Sequence, residues 1–118
     1  MKRYLFLLTQ PPYTGCLIQE TLDIILTTAA FDQSVSLLFL DQGIFQIKAG
    51  QHPKQLSLKN TTAMFDALTL YDVQDIYVES ESLQEYGLSL ADLSLSAQLL
   101  SRSSLGEFIA SFDIIFSA

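Results

Sequence analysis

The chain has 118 residues, enough for one domain spanning residues 1–118 and too few for two. A formal charge of -7 opposes direct contact with nucleic-acid phosphates, and one cysteine with one histidine excludes an internal disulfide, a CxxC redox pair and a zinc site of usual spacing. Charged residues make up 16% against 49% hydrophobic, which points to apolar surface covered by partner chains; the plainer alternative is a core-rich α/β domain.

From the amino terminus, Tyr4 to Leu8 is an apolar run. With Met1-Lys2-Arg3 before it, it resembles a leader, but Thr9, Gln10, Pro11 and Pro12 interrupt it and no small-residue cleavage site follows. It is also too short to span a bilayer, and it reads as a first buried strand. Gly15 to Ala30 carries Ile18, Leu22, Ile25 and Ala29 on one helical stripe, with Glu20, Asp23 and Thr27 off it. Val35 to Leu40 is a second apolar run. The segment Asp41 to Ile47 follows, where Gly43 permits a turn and Phe45 and Ile47 alternate with Gln46 and Lys48 as in a short extended piece. That piece either folds back on its own core or faces a neighbouring subunit.

Asn60 can cap a second helix with Met64, Phe65, Leu68 and Tyr71 inward. Ile76 to Val78 is a third strand, and a short helix from Ser82 to Tyr86 ends at Gly87. Ser89 to Leu100 fits neither period cleanly, and a fourth strand is placed at Leu93 to Ala97. Ser104 and Glu107 form a capping box before Phe108, Ile109 and Phe112, and Ile114 to Phe116 closes the chain as a fifth strand. Unbroken apolar strands alternating with helices specify a mostly parallel sheet between helical layers. The expected fold is a doubly wound, flavodoxin-like three-layer sandwich with five strands. Its sites gather at the loops after the strands: Gln10 to Gly15, Asp41 to Phe45, and Glu79 to Ser82.

Those loops offer little chemistry. The first holds two prolines and one glycine, which removes the N–H donors a phosphate cradle needs, and no Walker or GxGxxG motif is present. No cofactor and no metal is expected. Cys16 stands near a helix start, where the dipole can activate a thiol; the plainer reading is a small apolar residue at a helix–strand junction. His52 sits between Gln51 and Pro53 in a segment with Lys48, Lys54 and Lys59, and reads as a solvated loop. Asp41 and Glu79 end successive strands and can line one crevice as a carboxylate pair; strand-end carboxylates are also ordinary caps. A lone cysteine fits a reducing compartment, and the cytoplasm is the expected location.

Several segments together carry a resemblance. These are the opening Met1-Lys2-Arg3, Asp41-Gln42-Gly43-Ile44-Phe45-Gln46 with Gly50-Gln51, Leu70-Tyr71-Asp72-Val73, Ser82-Leu83 with Tyr86-Gly87-Leu88, and Phe112-Asp113-Ile114-Ile115. With that spacing, end to end, the chain resembles the TusC/DsrF subunits of the DsrE/F/H-like sulfur-relay family. The resemblance implies a heterohexamer with TusB-like and TusD-like subunits. It passes persulfide sulfur to a TusE-like acceptor, for 2-thiolation of the tRNA wobble uridine or, in DsrEFH-type complexes, for sulfur oxidation. It implies that the acceptor cysteine of the TusD-like member falls here at Glu79, Ser80 and Glu81, none of which is a thiol, so that the chain is a structural subunit and no enzyme. Serine holds no persulfide, and two carboxylates raise a neighbouring thiol's pKa. Candidate partner-interface residues are Phe45, Gln46, Gln51 and Tyr71. The alternative is a Cys16-dependent sulfur carrier.

Overall fold

The computed structural model describes residues 2–9, 17–31, 34–47, 75–93 and 96–117. Five strands form one sheet: β1 (Arg3–Leu8), β2 (Ser34–Phe39), β3 (Asp75–Glu79), β4 (Gln98–Leu100) and β5 (Ile114–Ser117). The described helices are α1 (Leu17–Ala30), α2 (Ser80–Glu85) and α3 (Leu105–Ala110). Every strand pairing is parallel, and the order across the sheet is β4-β3-β2-β1-β5. The chain steps one way from β1 to β4, then crosses back to set β5 on the other side of β1.

That reversal divides the helices between the two faces. Alternation along each strand sends successive side chains to opposite sides. Phe6, Leu8, Leu37, Phe39, Ile76 and Val78 form one core with Ile25 of α1 and Leu83 of α2. Leu5 and Leu38 form the other with Leu105 of α3 and Phe112, against which Tyr77, Phe108 and Ile109 pack. Leu5, Leu37, Leu38 and Phe39 are fully buried, as the unbroken apolar runs required. The edges are less covered: Leu99 of β4 and Ile115 and Phe116 of β5 are exposed, although Phe116 stacks on Phe6 at 5.0 Å.

Three local readings are corrected. Asp41–Gln46 is a 3-10 turn rather than an extended piece. A turn of three residues puts Ile44 and Ile47 on one side, and both are fully buried, so the spacing of three overrode the alternation. The fourth strand lies at Gln98–Leu100, beyond Leu93–Ala97; Leu93 is instead buried in the α1/α2-side core. Ser104 does not cap α3. It is already helical, because a 3-10 turn at Arg102–Ser104 leads into the helix, and its hydroxyl donates to the Ser101 carbonyl at 2.9 Å.

The end of α2 follows the sequence closely. Gly87 adopts φ +68°; its N–H donates to the Gln84 carbonyl, and the Leu88 N–H donates to that of Leu83. This is a Schellman motif, and Leu83 and Leu88 pack into the same core. The helix expected after Asn60 lies outside the described residues.

Candidate functional site

The carboxyl ends of β2, β3 and β4 converge on one polar network. Glu79, the last residue of β3, shares its side of the strand with Tyr77, the side covered by α3. Its partner across the β3–β4 register is Leu100, so Arg102, two residues further on, arrives beside it. The guanidinium donates to Glu79 Oε1 at 2.8 Å and also to Glu85 of α2. The Arg102 backbone N–H donates to Glu81 Oε1 at 2.9 Å, and Ser80 Oγ donates to the same oxygen at 2.7 Å.

Ser82 extends the network to β2. Its hydroxyl donates to Glu79 Oε1 at 2.6 Å and accepts the Asp41 backbone N–H at 2.8 Å. Asp41 opens the 3-10 turn with φ +52°, a left-handed conformation that aspartate tolerates better than most residues. Within that turn Gly43 lies so close to the end of β1 that an added Cβ would sit 1.7 Å from the Leu8 carbonyl oxygen. The turn is thus pressed onto β1 at one end and tied to α2 at the other.

Glu79 is 2% exposed. A buried carboxylate is costly unless paired. Here the Arg102 hydrogen bond holds its pKa below the ordinary value, reinforced by the Ser82 hydroxyl and opposed by burial. Glu81 is lowered as well, first by the Ser80 hydroxyl and then by the Arg102 N–H. Arg102 is raised by the same contacts with Glu79 and Glu85. The charged forms of Glu79, Glu81 and Arg102 are thus favoured by the hydrogen bonds they make to one another and to the two serines. Glu79 already accepts from two donors, so Asp41 and Glu79 are brought together through Ser82 but do not form a free acid–base pair.

The sequence profile of the DsrE/DsrF-like family matches residues 2–117. The chain belongs to this family. A protein TusC homolog from Pseudomonas aeruginosa is 39% identical over 108 residues, covering 92% of this chain and 91% of its own. The intracellular sulfur oxidation protein DsrF of Allochromatium vinosum is 39% identical over 93 residues, covering 79% of this chain and 68% of its own. A TusC homolog from Vibrio parahaemolyticus is 31% identical over 107 residues, or 91% of each chain. Among solved structures, the ychN protein of E. coli superposes with a TM-score of 0.83 at 16% identity, each chain covered in full, and shares the fold.

The candidate residues fall unevenly on this DsrE/DsrF-like fold. Phe45 is half-buried in the turn and meets Tyr86 edge to face. Gln46 belongs to the same turn. Gln51, Tyr71, His52 and Cys16, with the loop from Gln10 to Gly15 and the lysines at 48, 54 and 59, lie outside the described residues. Glu79, Ser80 and Glu81, onto which the resemblance carries the acceptor position of the TusD-like member, lie at the end of β3 and the start of α2. Arg102 was missed as a member of the site, and Ser82 was named only as the end of the candidate loop from Glu79. Arg102 had one signal in the sequence: it is the only cation after Lys59, in a stretch rich in carboxylates that need a partner. Among the described residues, no helix is long and apolar enough to cross a membrane.

Proposed function

We propose that this chain is a non-catalytic subunit of a TusBCD-type sulfur-relay complex that supports 2-thiolation of the tRNA wobble uridine. The observation that carries this reading is the end of β3. The residues there are Glu79, Ser80 and Glu81, and both carboxylates are engaged by Arg102. A sulfur acceptor needs a thiolate. This position supplies ionised carboxylates held in hydrogen bonds, which disfavour a thiolate beside them. Resemblance to proteins called TusC homologs supports the relay setting. The subunit's contribution is then surface and shape, offered to TusB-like and TusD-like neighbours in a cytoplasmic heterohexamer. Phe45, Gln46, Gln51 and Tyr71 take part in those contacts, and a TusE-like protein receives the sulfur.

The equal identity to DsrF favours a second setting, a DsrEFH-type complex in sulfur oxidation. The same subunit role applies in both. Co-expression with the TusB-like and TusD-like proteins of the same organism, followed by native mass measurement, tests the reading. One assembly containing two copies of each subunit is expected. A lone monomer that stays soluble and binds neither protein would overturn it. Thiolated tRNA in a deletion strain then separates the two settings: loss of the 2-thio group supports the first, and unchanged tRNA supports the second.

A further inference from the structure

We propose that the Phe45–Tyr86 pair is a docking surface for a basic face of a partner protein chain, held in shape by the contacts that run from Arg102 through Glu79 and Ser82. This rests on the subunit reading above and names the chemistry of the partner's face. The two rings meet edge to face with centroids 4.9 Å apart and planes at 74°. Phe45 packs on the core from one side, and Tyr86 is 40% exposed. Aromatic area therefore faces solvent while its position is fixed from beneath.

The fixing is traceable bond by bond. Phe45 lies in the 3-10 turn that Asp41 opens, and the Asp41 N–H is bound by Ser82 of α2. Tyr86 follows directly on α2. Ser82 is itself 1% exposed and oriented by Glu79, which Arg102 holds. The turn and the helix that present the two rings are thus joined through one serine. Rings already placed lose little freedom on docking, and such aromatic residues recur as interface anchors.

Charge selects the occupant. Asp41 and Glu85 are exposed and Glu81 is half-buried at this end of the sheet, while Glu79 is buried and already held by Arg102. Among the described residues the one cation there is Arg102, which already serves Glu79 and Glu85. The other described cations, Lys2 and Arg3, lie at the start of β1. Lysine or arginine on a partner would meet this excess negative charge, and the aromatic faces beside it attract cations as well. An acidic surface would be repelled.

The test uses the full chain with purified TusB-like and TusD-like proteins from the same organism, and measures affinity at low and high salt. Tyr86→Ser is expected to weaken binding about tenfold or more. Asp41→Asn keeps a residue tolerant of positive φ and is expected to weaken binding about threefold at low salt and not at high salt. Ser82→Ala is expected to weaken binding in proportion to faster amide exchange in the Asp41–Gln46 turn, with the far-face helix α3 unchanged. Salt-insensitive assembly that tolerates both Tyr86→Ser and Asp41→Asn overturns the docking surface and leaves the subunit reading intact. Failure of the wild-type chain to assemble overturns the subunit reading, and this proposal with it.

Discussion

At the amino end of the sheet, Arg3 donates its backbone N–H to Asp113 and its guanidinium to the Ser111 carbonyl, and lies 4.4 Å over the Phe112 ring. At the carboxyl end, Arg102 reaches a carboxylate that is almost wholly buried and joins it to α2 and to the entry of α3. Both arginines tie strand ends together. Arg3 does so on the surface, through the Asp113 carboxylate and the Ser111 carbonyl, partners that water could replace. Arg102 neutralises a charge that the fold has already removed from water. The two ends of the fold are therefore committed to different degrees. One end closes the sheet with ordinary exposed contacts. The other holds a buried ion, a non-glycine residue at positive φ and a backbone approach that only glycine permits.

Substitutions at the two ends should accordingly differ in scale. Gly43→Ala is expected to be the most damaging, because its Cβ would overlap the Leu8 carbonyl and force the backbone of the turn or of β1 to move. A loss of about 3 kcal/mol or more is expected in urea denaturation, or failure to accumulate folded protein. Gly106, in α3, is the control: nothing lies within 4 Å of its would-be Cβ, and alanine there should be neutral or add about 0.5 kcal/mol.

Glu79→Gln keeps a group that can accept from Ser82 but loses the charge that holds Arg102. It is expected to cost about 2 kcal/mol by chemical denaturation at neutral pH. The same substitution sharpens the comparison through pH. The folded-state pKa of Glu79 is depressed below its ordinary 4.5. Its ionised form therefore stabilises the fold above that value, and the contribution is lost as pH falls through the lower folded value. Wild-type stability should drop across that acid window, and the Glu79→Gln curve should be flatter there. Arg3→Ala is expected to be the least destabilising of the substitutions at the two ends, about 0.5–1 kcal/mol from the contact with the Phe112 ring and the one guanidinium hydrogen bond. A loss at Arg3 as large as that at Glu79 would erase the distinction between the ends.

Much of the framework was legible in the residues. Runs such as Val35 to Leu40 fit strands buried on both faces, as in a parallel sheet between helical layers, and Gly87 after Ser82–Tyr86 marked a helix end that formed as a Schellman motif. The errors share a cause. In Asp41 to Ile47, spacings of two and three overlap within seven residues, and only the position of β1 against Gly43 decides between them. Ser104 and Glu107 match a capping box, yet Ser101 starts the turn three residues earlier, a choice that depends on where Arg102 must go. Likewise β4 begins at Gln98 because Leu93 is drawn into the core formed with α1 and α2. The strand order, with β5 beside β1, left no mark in local pattern. The candidate site was half legible. Glu79 and Asp41 were visible as strand-end carboxylates, whereas their link through Ser82 and Arg102 spans up to 61 positions of chain, from Asp41 to Arg102.

Under the proposed function, the chain lends its complex a fixed surface and no sulfur-bearing atom. The most direct test replaces the one thiol, Cys16→Ser, in the intact co-purified assembly and measures transfer of labelled persulfide sulfur to the TusE-like acceptor. Transfer at the wild-type rate, with no added sulfur mass on this subunit in the unmodified assembly, is the predicted result. A dead relay in an assembly of unchanged composition, or sulfur found on Cys16, would contradict it.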